Sequence, residues 1–240
     1  MENVEKRAGI LFRMWQGLLH LVYPNLCVGC GSDMITGTQL ICLDCIEALP
    51  LTNFHLHENN PVEKIFRGRI NISCASAYVY FTKQSAMQQI LHHLKYEGNK
   101  EVGYYFGRKI GSALRQSSRF DTVQGLIPLP LFYKREKQRG YNQATLICEG
   151  MAETMNVPVL DKVVSRKMAT ETQTRKNRRE RWENIEGRFT LKNEKDITGR
   201  HILLVDDVLT TGATLEACGT ELLKAHNVQL GIVTLAYTSS

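Results

Sequence analysis

The sequence predicts an α/β fold, a parallel sheet flanked by helices, preceded by a small metal-binding module. Apolar runs alternate with helical patterns over residues 120–236, and this alternation is typical of parallel sheets. Two Cys-x-x-Cys pairs stand near the amino terminus. We therefore expect two units: residues 1–55, an amphipathic helix followed by a four-cysteine module, and residues 56–240, the α/β domain.

The elements of the α/β domain follow from hydrophobic periodicity and from the breaks between periodic segments. Residues 50–70 read as an irregular connection. Strands are expected at residues 74–81, 123–131, 158–164, 202–205 and 228–236. Helices are expected at residues 85–95, 103–116, 142–155 and 215–223.

Composition is that of a soluble globular protein, with 43% hydrophobic and 22% charged residues. The net charge of +6 permits a polyanionic partner without proving one. The longest apolar region, residues 10–22, contains Arg13, Gln16 and His20, which is short of the ~20 apolar residues of a transmembrane helix. We expect no transmembrane segment and a cytoplasmic location. Residues 1–23 have helical amphipathic spacing, and we favour packing on the chain's own module over binding to a membrane surface or a partner.

The cysteines divide into a paired set and three single residues. Cys27 and Cys30 are followed, after eleven residues, by Cys42 and Cys45, a spacing that can hold one structural Zn²⁺ tetrahedrally. Four thiolates leave no open position for chemistry. The single residues are expected as buried thiols in a reducing compartment: Cys74, Cys148 and Cys218.

Residues 201–214 give the strongest chemical signal: His-Ile-Leu-Leu-Val-Asp-Asp-Val-Leu-Thr-Thr-Gly-Ala-Thr. The carboxylates of Asp206 and Asp207, at the end of an apolar strand, can accept hydrogen bonds from two neighbouring hydroxyls of a ribose. A helix start follows, where unpaired N–H groups and the helix dipole favour a phosphate. We expect the 5′-phosphate of a sugar on Thr210, Thr211, Gly212, Ala213 and Thr214. The alternative is a capped buried strand with a threonine-rich turn.

A second anion site is predicted after the strand that contains Pro128. A cation-rich loop is expected there, then a glycine and a helix start, which suit a pyrophosphate because arginine binds phosphate oxygens through two parallel hydrogen bonds. The residues proposed for it are Leu129, Pro130, Arg135, Arg139 and Asn142. The alternative is a solvated basic turn.

A third segment, residues 165–188, is polar and strongly basic. Three interpretations are open: a mobile lid over the pyrophosphate, a contact surface for nucleic acid, or a solvated face. The residues assigned to a lid or a DNA contact are Arg166, Thr170, Gln173, Arg175, Arg178 and Arg179.

These motifs occur here in the order in which they occur in ComF/GntX-like proteins, and the chain resembles that family. The motifs are the four cysteines, Leu94-Lys-Tyr-Glu-Gly98, Pro128-Leu-Pro-Leu…Arg-Gly-Tyr-Asn-Gln143, Thr170…Gln173-Thr…Arg178…Asn184 and Val205-Asp-Asp-Val-Leu-Thr-Thr-Gly-Ala-Thr214. The resemblance implies a type I phosphoribosyltransferase-like domain that binds 5-phosphoribosyl-1-pyrophosphate (PRPP) with Mg²⁺. It also implies a role in natural competence, on incoming single-stranded DNA in the cytoplasm, with helicase-type and recombination-mediator proteins as partners.

The resemblance leaves catalysis open, and no catalytic residue is assigned. The alternative function is a type I phosphoribosyltransferase that transfers the phosphoribosyl group of PRPP to ammonia or a base. Thr210 stands where purine salvage enzymes have an acidic general base, so purine salvage is not expected. The chain also has no room for a glutaminase domain beside the cysteine module.

Overall fold

The structure, a computed structural model, describes residues 26–33, 35, 39–166 and 189–239. Within them, one parallel sheet has the strand order β1-β6-β5-β2. Its strands are Cys74–Tyr80 (β1), Gly125–Pro128 (β2), His201–Leu209 (β5) and Gln229–Tyr237 (β6). Val164–Arg166 (β3) and Phe189–Leu191 (β4) form a separate antiparallel pair. The predicted α/β class is confirmed.

The helices of the described residues alternate with these strands along the chain. They are Leu43–Glu47 (α1), Pro61–Phe66 (α2), Ala86–Tyr96 (α3), Lys100–Leu114 (α4), Tyr133–Arg139 (α5), Gln143–Met155 (α6) and Ala213–Leu222 (α7). Short 3₁₀ turns lie at Phe54–Leu56, Ser118–Phe120 and Glu194–Asp196.

Strand β5 is buried on both faces. Leu203 and Val205 join an apolar core with residues of α3, α4 and α6, whereas Ile202 and Leu204 join a second core with residues of α2 and α7. Successive side chains of a strand point to opposite faces, so burial on both faces requires an unbroken apolar run. This burial holds the carboxyl end of β5, where the acid pair stands, between two helical layers.

Helices α4 and α6 pack tightly through small residues. A Cβ atom on Gly107 would collide with the backbone of α6, and one on Gly150 would collide with the backbone of α4. The backbones therefore approach more closely than side chains would allow. This contact fixes α6, whose start carries part of the predicted pyrophosphate site.

The expectation of an irregular connection over residues 50–70 is wrong in part. Helix α2 lies there, capped by Asn60, whose Oδ1 accepts hydrogen bonds from the N–H groups of Val62 (3.0 Å) and Glu63 (3.1 Å). Phe66 is fully buried, and Leu51 forms an antiparallel bridge with β1. A six-residue helix is too short for its periodicity to stand out in the sequence.

Two other expectations need correction. The cation-rich segment after β2 is a helix, α5, and not a loop. No residue of α5 is buried, so it has no apolar stripe from which it could be predicted. The strand expected over residues 158–164 is reduced to one parallel bridge between Val159 and Leu126, followed by β3 from Val164 onward.

The cysteine module shares an apolar core with the α/β domain. Ile41, Cys45 and Leu49 belong to the same cluster as Met87 of α3 and Val79 of β1. The helix expected over residues 1–23 lies outside the described residues. None of the described helices combines the length and the apolar character that a bilayer crossing requires.

Candidate PRPP site at the carboxyl end of the sheet

The acid pair stands inside the carboxyl-terminal part of β5, which continues to Leu209 beyond the strand end predicted from sequence. The Oδ1 atom of Asp206 accepts a hydrogen bond from the backbone N–H of Asp207 at 2.8 Å. The Oδ2 atom of Asp207 lies 2.9 Å from Nζ of Lys95, the penultimate residue of α3. Both side chains of this ion pair are mostly buried, at 23% exposure for Lys95 and 13% for Asp207.

The environment of Asp206 disfavours its charged form. Burial, followed by the neighbouring carboxylate of Asp207, raises the pKa of Asp206 to about 8. The N–H of Asp207 and the cations of Lys95 and Arg166 lower that pKa, but they do not offset the burial. Asp206 is therefore protonated at neutral pH when nothing is bound beside it. Strongly perturbed carboxyl groups of this kind concentrate at functional sites.

The predicted phosphate turn follows the acid pair directly. Gly212 has φ of +75° and stands immediately before α7, and Oγ1 of Thr211 lies 3.5 Å from the N–H of Ala213. Thr210 and Thr211 are exposed. The first N–H groups of α7 have no partner within the helix, so the turn offers donors and a favourable dipole to an anion.

The residues predicted for pyrophosphate lie between the end of β2 and the start of α6. The N–H of Leu129 donates to the carbonyl of Val205 at 2.8 Å, and Nδ2 of Asn142 donates to the carbonyl of Leu129 at 2.9 Å. Asn142 also caps α6 by accepting from the N–H of Ala144 at 3.0 Å. Leu129 and Asn142 are therefore held by their own contacts and shape the loop that contains Pro130.

Three cations share one cavity beside this loop. A cavity of about 420 Å³ is lined by Lys95, Tyr96, Gly98, Arg135, Gln138 and Arg139. The guanidinium of Arg139 donates to Oε1 of Gln143 at 2.7 Å and lies 5.3 Å from the centre of the Tyr96 ring. Lys95, Arg135 and Arg139 thus give this cavity the charge that a pyrophosphate requires.

Lys95 and Tyr96 line the cavity of the candidate site, and the sequence alone assigns no role to either of them. They belong to the motif Leu94-Lys-Tyr-Glu-Gly98, which in the sequence marks only the family resemblance. Tyr96 is 66% exposed, although large aromatic side chains are usually well buried. The sequence signal that could identify them is a lysine and a tyrosine at the end of a predicted helix, shortly before Gly98.

Only the first residue of the predicted lid lies in the described part of the chain. Arg166 is the last residue of β3, and its guanidinium stacks on the ring of Phe132 at 3.9 Å and on that of Phe189 at 5.2 Å. Its charge lowers the pKa of Asp206. The other predicted lid residues lie outside the described residues: Thr170, Gln173, Arg175, Arg178 and Arg179.

The four paired cysteines form one cluster. Their Sγ atoms all lie within 4.8 Å of one another, and Sγ of Cys27 accepts from the N–H groups of Gly29 (3.4 Å) and Cys42 (3.2 Å). Burial alone would raise the pKa of the Cys27 thiol, but backbone N–H groups lower it to about 6. The cluster fits a metal such as zinc, since four cysteine sulfur atoms converge and thiolates are ligands of zinc. The remaining cysteines, Cys74, Cys148 and Cys218, are buried as expected.

Comparison with known proteins identifies the family. A phosphoribosyl transferase domain matches residues 139–240, the region that contains Arg139, the acid pair and the phosphate turn. Competence protein ComFC of Bacillus subtilis (strain 168) is 31% identical over 202 residues, which cover 82% of this chain and 71% of that protein. The chain belongs to the ComF-like family of competence proteins.

The chain is also similar to a further relative and to a solved structure. DNA utilization protein YhgH of Shigella flexneri is 27% identical over 219 residues, 85% of this chain and 93% of that protein. A glutamine PRPP amidotransferase structure from B. subtilis, complexed with ADP and GMP, is 14% identical to this chain. The superposed region covers 60% of this chain and 30% of the amidotransferase chain, with a TM-score of 0.42.

Proposed function

We propose that this protein binds PRPP with Mg²⁺ and acts in natural competence, where it handles incoming single-stranded DNA in the cytoplasm. The observation that carries the proposal is that the acid pair of β5 lies next to two candidate anion sites. One is the phosphate turn at residues 210–214, and the other is the cavity with three cations. PRPP has a phosphate, a ribose with two free hydroxyls and a pyrophosphate, and each matches one of these features.

Each part of the ligand has a proposed set of partners. The 5′-phosphate accepts hydrogen bonds from the N–H and hydroxyl groups of residues 210–214. Asp206 and Asp207 accept from the ribose hydroxyls, and Lys95, Arg135 and Arg139 neutralise the pyrophosphate. Mg²⁺ prefers oxygen ligands, which this acid pair and a pyrophosphate supply, and when bound it neutralises phosphate charge. Hydroxyl donors and a cation favour the charged form of Asp206, so binding releases its proton near neutral pH.

The competence role is supported by the relatives, one named competence protein ComFC and the other DNA utilization protein YhgH. A DNA contact is supported by α5, in which Lys134, Arg135 and Lys137 are exposed and Tyr133 is 61% exposed. Exposed cations attract phosphodiester groups and an exposed aromatic ring can stack on an unpaired base, which together favour single-stranded DNA.

Titration calorimetry of the full chain with PRPP and Mg²⁺ tests the ligand. We expect saturable binding at one site per chain, with a heat that varies with the ionisation enthalpy of the buffer because a proton is released. The control is PRPP replaced by ribose, which has neither phosphate group and should give no saturable heat. Absence of saturable PRPP binding by folded protein would remove the basis of the proposal.

A second candidate function, phosphoribosyl transfer, is favoured by a further cavity beside the acid pair. This cavity of about 600 Å³ lies between α3 and the ends of β5 and β6, and Phe81, Leu91, His92, Tyr96, Asp207 and Thr238 are among its lining residues. The rings of His92 and Tyr96 have centres 5.1 Å apart. A largely apolar cavity with aromatic walls suits a planar base as acceptor.

Pyrophosphate release separates the two candidates. In a transferase, an acceptor nitrogen would bond to C1 of PRPP while the bond to pyrophosphate breaks, and the cations beside Arg139 would stabilise the leaving charge. We expect PRPP binding without turnover when ammonia and the common bases are offered with Mg²⁺. Stoichiometric formation of pyrophosphate and of the N-linked product, phosphoribosylamine from ammonia or a ribonucleotide from a base, would favour the transferase instead.

The metal of the cysteine module is proposed to be one structural Zn²⁺ held by Cys27, Cys30, Cys42 and Cys45. The cluster geometry supports this proposal because four sulfur atoms converge with no open position. Elemental analysis should give one zinc per chain, and Cys30→Ser should lower that content, whereas Cys148→Ser, at a buried single cysteine, should keep it. Folded protein without metal and with all four thiols titratable would contradict the assignment.

A further inference from the structure

One cation outside the predicted site is attached to the phosphate turn. The Nη1 atom of Arg69, in the connection between α2 and β1, donates to the carbonyl oxygen of Thr211 at 2.9 Å and to that of Ile65 at 3.1 Å. Its Nη2 atom forms an ion pair with Glu216 in the first turn of α7. One guanidinium therefore joins α2, the turn and α7.

The contact with Thr211 determines the direction of a donor. The described chain has no cis peptide bond, and in a trans peptide the C=O and the following N–H point in opposite directions. Holding the carbonyl of Thr211 toward Arg69 therefore turns the N–H of Gly212 away from Arg69. The carbonyl of Gly212 is held in turn, since it accepts from the N–H of Glu216 at 2.8 Å.

Helix α2 supports the same turn by packing. A Cβ atom on Gly212 would lie 2.9 Å from Cε1 of Phe66 and 3.0 Å from Cγ2 of Ile65, so the turn rests directly on the end of α2. The positive φ of Gly212 adds a second reason for glycine there. Packing fixes where the turn lies, and Arg69 fixes how its peptide groups are oriented.

We propose that Arg69 is a positioning residue for the binding of a sugar 5′-phosphate: it holds the turn at residues 210–214 with the N–H of Gly212 directed at the ligand. This inference rests on the proposed PRPP binding and goes beyond it, because Arg69 lies outside the predicted site residues and touches the turn from its far side. A preset turn binds more tightly because it loses less conformational freedom when the ligand arrives.

Two ligands that each contain one part of PRPP separate this role from a general loss of structure. Calorimetry on the full chain with ribose 5-phosphate, and separately with pyrophosphate and Mg²⁺, compares wild type with Arg69→Ala. We expect a loss of about tenfold for ribose 5-phosphate and no change for pyrophosphate. The matched control is Arg67→Ala, two residues away, whose exposed guanidinium donates to Asn59 at 2.7 Å, and both affinities should stay at wild-type values.

The double variant Arg69→Ala/Glu216→Gln tests a competing explanation. If Arg69 acted only by neutralising Glu216, removal of both charges would restore ribose 5-phosphate affinity and overturn the positioning role. We expect the affinity to stay low. If Arg69→Ala does not fold, Arg69→Lys takes its place, since an ammonium group retains the charge but not the guanidinium fork. It should weaken ribose 5-phosphate several-fold and leave pyrophosphate unchanged.

Amide hydrogen exchange on the free protein tests positioning without any ligand. In Arg69→Ala, exchange should become faster at residues 210–214 and stay unchanged in β6 and α4. Unchanged exchange at the turn, or an equal loss of affinity for both ligands, would overturn the inference. A different result would contradict the proposed function instead: wild-type protein would bind neither ligand, while the Arg69→Ala variant would still show faster exchange at the turn. In that case Arg69 would order the turn, but the turn would not be a sugar-phosphate site.

Discussion

The two ends of the parallel sheet differ in the partners that their buried polar groups have. At the amino end, Glu63 accepts from the guanidinium of Arg119 and from the N–H of Ala75, and both side chains of the ion pair are 15% exposed. His201 lies between two hydroxyl groups, with Oγ of Ser73 2.9 Å from Nε2 and Oγ1 of Thr122 2.8 Å from Nδ1. Each of these buried groups has its partners within the protein.

At the carboxyl end, like charges are adjacent instead. Asp206 and Asp207 follow each other in one strand, and their mutual repulsion together with burial raises the pKa of Asp206 to about 8. Three cations share one cavity nearby, and Tyr96 is left 66% exposed. The difference indicates that the amino end is built for stability, whereas the carboxyl end retains an acid pair in which burial and proximity oppose the ionisation of Asp206, a feature that is common at functional sites. Substitutions at the two ends should therefore separate stability from binding.

The largest expected effect is on ligand affinity at the carboxyl end. Asp206→Asn/Asp207→Asn removes two charge-assisted interactions worth roughly 1.5–3 kcal/mol each, so PRPP affinity should fall at least about 100-fold. Glu194→Gln/Asp196→Asn, the same acid-to-amide change at two residues of the exposed 3₁₀ turn before β5, is the control and should leave affinity unchanged. Calorimetry measures both, and equal affinities would mean that the acid pair does not hold PRPP.

The next largest effect is on stability at the amino end. Arg119→Ala leaves the carboxylate of Glu63 buried without its cation, which should lower the free energy of unfolding by about 3 kcal/mol. PRPP affinity should change less than about twofold, because the pair lies at the opposite end of the sheet. Arg108→Ala breaks an exposed pair with Glu153 and should cost less than about 1 kcal/mol. Urea denaturation compares the variants, and similar losses for both would mean that the buried pair at the amino end stabilises the fold no more than an exposed pair does.

The cost of the acid pair should itself be measurable as a pH dependence. The pKa of Asp206 is about 8 in the folded protein and about 4 in the unfolded chain, so between these values the folded state holds more protons. The free energy of unfolding should therefore fall as pH rises from about 4 to about 8. Asp206→Asn lacks this contribution and should be more stable than wild type at pH 9 by on the order of 2 kcal/mol, with a smaller difference at pH 5. A variant that is less stable than wild type at pH 9 would contradict the assigned pKa.

The smallest expected effect concerns DNA. Lys134→Ala/Lys137→Ala should weaken binding of a single-stranded oligonucleotide and reduce the log–log salt slope by about 0.7 for each phosphate group that the variant no longer neutralises. Lys192→Ala/Lys195→Ala removes two exposed cations from the segment between β4 and β5 and should leave the slope as in wild type. Fluorescence anisotropy at several salt concentrations measures both. Equal slopes for the two variants would exclude α5 as the contact surface.

Where a local pattern also determines the structure, the sequence is sufficient to predict it. The apolar run of β5 with its acid pair, the glycine before α7 and the four-cysteine spacing are local features, and the structure has a strand, a turn and a cysteine cluster there. The alternation of strands and helices likewise leads to the α/β class, because parallel strands need such crossovers.

Some of the features that the sequence does not predict depend on contacts between distant parts of the chain, and others lie in segments that have no clear hydrophobic period. The ion pair of Lys95 with Asp207 joins residues far apart in sequence, as does the contact of Arg69 with Thr211, and no spacing within one segment predicts either. Helix α5 is not predicted because none of its residues is buried, and α2 is not predicted because six residues show no clear hydrophobic period. The raised pKa of Asp206 follows from burial, which becomes known only when the helices on the two faces of the sheet are packed against β5.

The most direct test of the central claim is a crystal structure of the protein with PRPP and Mg²⁺. The ribose hydroxyls should lie within hydrogen-bond distance of Asp206 and Asp207, with the 5′-phosphate on residues 210–214 and the pyrophosphate beside Lys95, Arg135 and Arg139. A bound PRPP that leaves Asp206 and Asp207 without contact, or that occupies another part of the molecule, would contradict the claim that the carboxyl end of the sheet is a PRPP site.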